Sequence, residues 1–114
     1  MITLYGIPNC DTVKKARAWL TAQGLTYEFH DFKKAGVPAD RLAVWESELG
    51  WEKLLNRKGT TWRKLDPAEQ ASAVDAASAQ ALMRAQPNLI KRPVVEWGNR
   101  TTVGFDTVVW AAEL

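Results

Sequence analysis

Ile2-Thr3-Leu4-Tyr5-Gly6-Ile7-Pro8-Asn9-Cys10-Asp11-Thr12-Val13-Lys14-Lys15-Ala16 opens the chain, and its pattern changes midway from strand to helix. Residues 2–5 are β-branched or apolar, and Gly6 and Pro8 end the run, so a short strand leading into a loop is predicted. Asn9, Cys10, Asp11 and Thr12 then supply N-cap candidates. Val13, Ala16 and Leu20 follow at helical spacing with Trp19 beside them, while Lys14, Lys15 and Arg17 take the opposite side. Gly24 suits the residue just past a helix end. The run 25–32 (Leu-Thr-Tyr-Glu-Phe-His-Asp-Phe) alternates apolar and polar, which predicts a half-buried strand. Roughly a dozen helical residues between two strands suffice for a right-handed crossover and a parallel pair.

Outward from this unit the pattern differs. No convincing strand falls within 37–86. Pro38-Ala39-Asp40 starts a helix whose apolar positions are Leu42, Val44, Trp45 and Leu49, ending at Gly50. A short turn over 51–55 precedes a polar loop, Asn56-Arg57-Lys58-Gly59-Thr60-Thr61. Asp66-Pro67-Ala68-Glu69 reads as an N-cap, a proline at the first helical position and an acidic first turn. The Ala-rich stretch 71–81 is helix-prone, and a helix over 78–85 turns Ala81, Leu82 and Met83 partly inward. Strands return in Pro93-Val94-Val95-Glu96-Trp97 and Thr101-Thr102-Val103-Gly104-Phe105, joined by Gly98-Asn99-Arg100 as a hairpin. Asp106 caps a last helix carrying Val108, Val109 and Ala112. The order βαβ, helices, ββα predicts an α/β, thioredoxin-like fold with a mixed four-stranded sheet. It forms one domain, 1–114, with a helical insertion over about 37–86.

Hydrophobic residues make up 46% and charged residues 25%, an ordinary globular composition. No apolar run approaches the roughly 18–20 residues that span a bilayer. The first residues show neither the basic nor the apolar region of a signal peptide, so a cytoplasmic protein is expected, with no membrane partner. The net charge is +2 and the basic residues fall in dispersed pairs, so no direct nucleic-acid binding is expected. With one cysteine there is no internal disulfide and no multi-thiolate zinc site, and the single His30 adds no metal ligand set and receives no role. A monomer is expected. Trp19, Trp45 and Trp110 fall at helical core positions, while Trp62, in the basic loop, belongs to the core or walls a cleft.

A thiol attacks as thiolate, and its free pKa of about 8.5 leaves a few per cent ionised at neutral pH. Cys10 lies after the first strand and just before a helix, where unpaired N–H groups and the positive dipole end favour an anion. This is also the carboxyl end of a parallel strand, where ligands of α/β proteins bind. A nucleophilic Cys10 follows, set against the alternative of a buried, inert cysteine. The second feature is Leu89-Ile90-Lys91-Arg92-Pro93-Val94-Val95. If Pro93 lies beside Cys10, the backbone of Arg92 becomes a docking edge for an extended thiol peptide, and its guanidinium meets an oxyanion or carboxylate. The alternative is a surface arginine before an edge strand.

Three segments, from Tyr5-Gly6-Ile7-Pro8-Asn9-Cys10 to Ala16, Leu54-Leu55-Asn56-Arg57-Lys58-Gly59-Thr60-Thr61-Trp62, and Leu89-Ile90-Lys91-Arg92-Pro93-Val94, together resemble the arsenate reductase (ArsC)/Spx family, its YffB-like branch most closely. The resemblance implies the same thioredoxin-like fold, a cis-proline at Pro93, and a working cysteine at Cys10. The family's glutaredoxin-linked arsenate reductases carry H-x3-C-x3-R and three further arginines. Here the histidine position is Gly6 and the loop arginine is Lys14. Arg92 is kept, Asn56 replaces a second arginine with Arg57 adjacent, and the third falls near Gly104. The oxyanion clamp is thus incomplete. The family's regulators use C-x-x-C, and here the second position is Val13.

The resemblance therefore implies a monothiol oxidoreductase with glutathione as co-substrate and no tightly bound cofactor. In this scheme Cys10 attacks an oxidised thiol and glutathione resolves the adduct. Asn9, Asp11, Thr12, Lys14, Arg92 and Pro93 surround the exchange, and Arg57 or Lys91 meets a carboxylate. The alternatives are arsenate reduction with glutathione and glutaredoxin, and a Spx-like module docking on RNA polymerase.

Overall fold

The computed structural model describes residues 1–114. In chain order the elements are β1 (Ile2–Gly6), α1 (Asp11–Ala22), β2 (Tyr27–Asp31), α2 (Phe32–Ala35), α3 (Ala39–Leu49), α4 (Trp51–Leu54), α5 (Thr60–Lys64), α6 (Pro67–Ser72) and α7 (Ala76–Ala85). A 3-10 turn (Pro87–Leu89) follows, then β3 (Val94–Glu96), β4 (Thr101–Val103) and α8 (Thr107–Ala111). The four strands form one mixed sheet in the order β2-β1-β3-β4. β1 and β2 run parallel, and the β1–β3 and β3–β4 pairs are antiparallel. The α/β class and the βαβ, helices, ββα order read from the sequence are those observed. The chain divides into two units, Met1–Ala35 with Arg92–Leu114, and Gly36–Lys91.

In the first unit the core lies between the sheet and α1. Leu4, Val13, Ala16, Leu20, Val95 and Trp110 form its buried cluster. The i, i+3, i+7 spacing of Val13, Ala16 and Leu20 delivers one apolar stripe to β1. Trp110 sits at the centre of an aromatic group, edge-on to Trp19 (5.6 Å), Trp97 (5.1 Å) and Phe105 (4.8 Å) between ring centroids. Helix α1 ends as its glycine suggests. Gly24, at φ 72°, donates to the Thr21 carbonyl, and Leu25 donates to the Leu20 carbonyl. That is a Schellman closure, and Leu25 packs against the core that Leu20 belongs to.

Some expectations fail here, each for a local reason. The second strand stops at Asp31, because its Oδ1 accepts the Lys33 N–H (2.8 Å) and turns Phe32 into the first residue of α2. β4 stops at Val103, before Gly104 and Phe105. In α8 Val108 and Val109 face solvent, as does Ala112 just past the helix end, while Trp110 is buried as its helical position predicts. Asp106 does cap this helix, accepting from the Val108 and Val109 N–H groups.

The second unit is helical. Leu42 and Trp45 are the buried residues of α3, and Val44 is exposed. The expected loop 56–61 is shorter, since α5 already begins at Thr60. Asp66 caps α6 through the Glu69 N–H, as its Asp-Pro signature predicts. The Ala-rich 71–81 stretch is not one helix. Asp75 forms a reciprocal capping box with Ser78 and starts α7 afresh at Ala76. Ala79 and Met83 are the buried positions of α7, Leu82 is half-buried, and Ala81 is exposed.

Candidate active site

Cys10 is the N-cap of α1, with an extended backbone (φ −104°, ψ 126°). A serine or aspartate in this position would accept a helix N–H; the Cys10 side chain makes no such bond. Its carbonyl accepts the Lys14 N–H at 2.9 Å, the first bond of the helix. The thiol is free, half-buried, and packed against the cluster of Leu4, Val13 and Trp110. Its neighbours Asn9, Asp11, Thr12 and Lys14 are exposed. The sulfur therefore stands where the first-turn N–H groups lack helical partners, with apolar packing on one flank and water on the other. Such a place stabilises an anion. Asp11 works against this, because its carboxylate sits in the same turn and competes for the same dipole end.

β3 brings the second feature to the same end of the sheet. Val94 pairs with Tyr5, so Pro93 lies one residue further, level with Gly6, from which the chain runs to Cys10. The Arg92–Pro93 peptide is cis. Pro93 is buried, Arg92 is half-buried, and the Pro93 carbonyl accepts the Gly104 N–H at 2.9 Å. Gly6 is buried too, and its missing side chain has a consequence. A Cβ there would stand 2.8 Å from Cγ2 of Val13.

Arg57 and Lys91, the other two predicted residues, belong to the second unit. Within it, the Leu55↔Ile90 bridge, the Asn56 N–H to Leu89 carbonyl bond (2.8 Å) and the Lys91 N–H to Leu54 carbonyl bond (2.7 Å) tie their two segments together. Both side chains are exposed. The Arg57 guanidinium lies 5.2 Å from the Trp51 ring centre and 5.9 Å from that of Trp62. Trp62 is thus half-buried beside a cation rather than in a core. The pairing of Arg57 with Trp51 has no sequence periodicity that would have signalled it.

The ArsC family model matches residues 5–112, nearly the whole chain. The chain belongs to the ArsC family. It is 52% identical to the solved YFFB protein, covering 100% of this chain and 99% of that one with a TM-score of 0.95. An arsenate reductase (ArsC) related protein from Brucella melitensis is 50% identical, over 97% of this chain and 92% of the other, at a TM-score of 0.76. The global transcriptional regulator Spx of Streptococcus mutans is 27% identical over 109 residues, 93% of this chain and 77% of the regulator. No helix is long and apolar enough to cross a membrane.

Proposed function

We propose that this protein is a glutathione-dependent thiol–disulfide reductase with Cys10 as its nucleophile, working in the cytoplasm. One observation carries the reading: a half-buried thiol caps α1 without a side-chain hydrogen bond, at the sheet end where the Arg92–Pro93 segment also arrives. The Cys10 thiolate attacks the glutathione sulfur of a protein–glutathione disulfide. The new bond is Cys10–S–S–glutathione, and the protein thiolate leaves and takes up a proton. A second glutathione, as thiolate, attacks that adduct, releases the Cys10 thiolate and departs as oxidised glutathione. In sum one glutathione thiol is consumed: its sulfur is oxidised into the glutathione disulfide, the protein sulfur is reduced to a thiol and takes the proton glutathione gave up, and the enzyme ends as it began. The first unit supplies the surroundings, with α1 facing the sulfur, Lys14 one turn on, and the Arg92–Pro93 segment receiving the tripeptide's extended backbone.

Arsenate reduction fits less well. The position where arsenate reductases of this family carry histidine is Gly6, and Val13 already fills the volume a side chain would need there. The test is deglutathionylation of a glutathionylated model protein, followed by mass, with the parent and with Cys10→Ser. The parent removes the adduct with turnover and the serine variant falls to the uncatalysed rate. Equal rates would refute the reading.

A second reading is supported by the similarity to the regulator Spx: a module docking on RNA polymerase. It requires a complex that persists in Cys10→Ala, and co-elution of that variant with the polymerase decides between the two.

A further inference from the structure

From the packing of β1 against α1 we infer that Gly6 is a positioning residue for the Cys10 thiol, acting through an interlock with Val13. The inference rests on the reading of Cys10 as the working thiol. A Cβ added to Gly6 would meet Cγ2 of Val13 at 2.8 Å, Cγ1 at 3.5 Å and Cβ at 3.8 Å. Carbon atoms in contact settle at about 3.5–4.0 Å, so α1 would have to withdraw by roughly 0.7 Å. Val13 cannot absorb this alone. It is β-branched, holds one strongly preferred rotamer in a helix, and is 0% exposed. Leu4, Ala16 and Leu20, each 0% exposed, surround it. Any side chain at position 6 therefore moves the first turn of α1 as a body.

That turn is the one that carries the thiol. Cys10 lies three residues before Val13, and its carbonyl is bonded to the Lys14 N–H at 2.9 Å. The sulfur has no side-chain hydrogen bond to fix it, so its place relative to the helix N–H groups and to the end of β1 is set by the seat of this turn. Gly6 lets the helix sit close, and Val13 fills the space so gained.

The test is the rate of iodoacetamide alkylation of Cys10 across pH 6 to 9, followed by intact mass, with circular dichroism on every sample. Gly6→Ala slows alkylation at pH 7 by about fivefold, the weight of a lost helix-end interaction. Gly6→Ala/Val13→Ala returns it to within about twofold of the parent, because the removed methyls vacate the clash. A Gly6→Ala protein that alkylates like the parent overturns the interlock. So does a double variant that is folded but slow, or unfolded. If Gly6→Ala alone fails to fold, recovery of both fold and rate in the double variant carries the inference. A parent that alkylates but never takes up glutathione would refute the proposed function and leave the interlock standing.

Discussion

Around Cys10 the deciding interactions involve few atoms. The N-cap role of this residue is legible in the sequence, since a strand, a Gly-Ile-Pro break and a helical pattern bracket it within a few positions. The opposing effect of Asp11 is not, because the same aspartate reads equally well as an ordinary acidic first-turn residue. A carboxylate at a helix N-terminus exchanges about 0.3–1 kcal/mol with the dipole. Asp11→Asn should therefore raise the alkylation rate of Cys10 at neutral pH by about two- to fivefold, as stopped time points analysed by mass would register. An unchanged rate would mean that water screens the carboxylate from the sulfur. The consequence of Gly6 was likewise hidden: a glycine at the end of a strand reads as punctuation, and the methyl group it makes room for lies seven residues on.

At the level of elements, sequence pattern and structure agree best where one periodicity runs without interruption. β1, α1 and the capped start of α6 are such cases. The two part where a short polar side chain redirects the backbone, as Asp31 does at α2 and Asp75 at α7. In helix α8 the core takes in Trp110, as its helical position predicts, edge-on to Trp19, Trp97 and Phe105, while the equally apolar Val108 and Val109 face solvent. Trp110→Ala should cost about 3–5 kcal/mol in urea unfolding, while Val108→Ala should stay within about 0.5 kcal/mol. The α7 cap also titrates. Hydrogen bonds from the Ser78 backbone and side chain hold the Asp75 carboxyl below its ordinary 3.8. Its contribution to stability is complete well above that value and disappears as the pH falls through the lower folded one. Asp75→Asn keeps an acceptor at the cap but removes the charge, so acid melting curves of this variant should lose part of the parent's pH dependence.

For the molecule as a whole, one thiol in 114 residues limits what disulfide chemistry is available. The βαβ and ββα halves of the first unit meet in one sheet, and β3 delivers the Arg92–Pro93 segment to the sheet end that β1 leaves toward Cys10. This long-range juxtaposition was reachable from the motifs and their order. The partnership of Arg57 with Trp51 and Trp62 was not, since it depends on how two short helices turn within the second unit. With a single thiol, a disulfide state of the chain requires a sulfur from another molecule, and in the proposed cycle that sulfur belongs to glutathione. The most direct measurement is intact-mass spectrometry of the protein after brief incubation with oxidised glutathione at neutral pH. The account predicts rapid conversion to a species carrying one glutathione on Cys10, reversed by added reduced thiol and absent from Cys10→Ser. A thiol that stays unmodified while the protein is folded would contradict it.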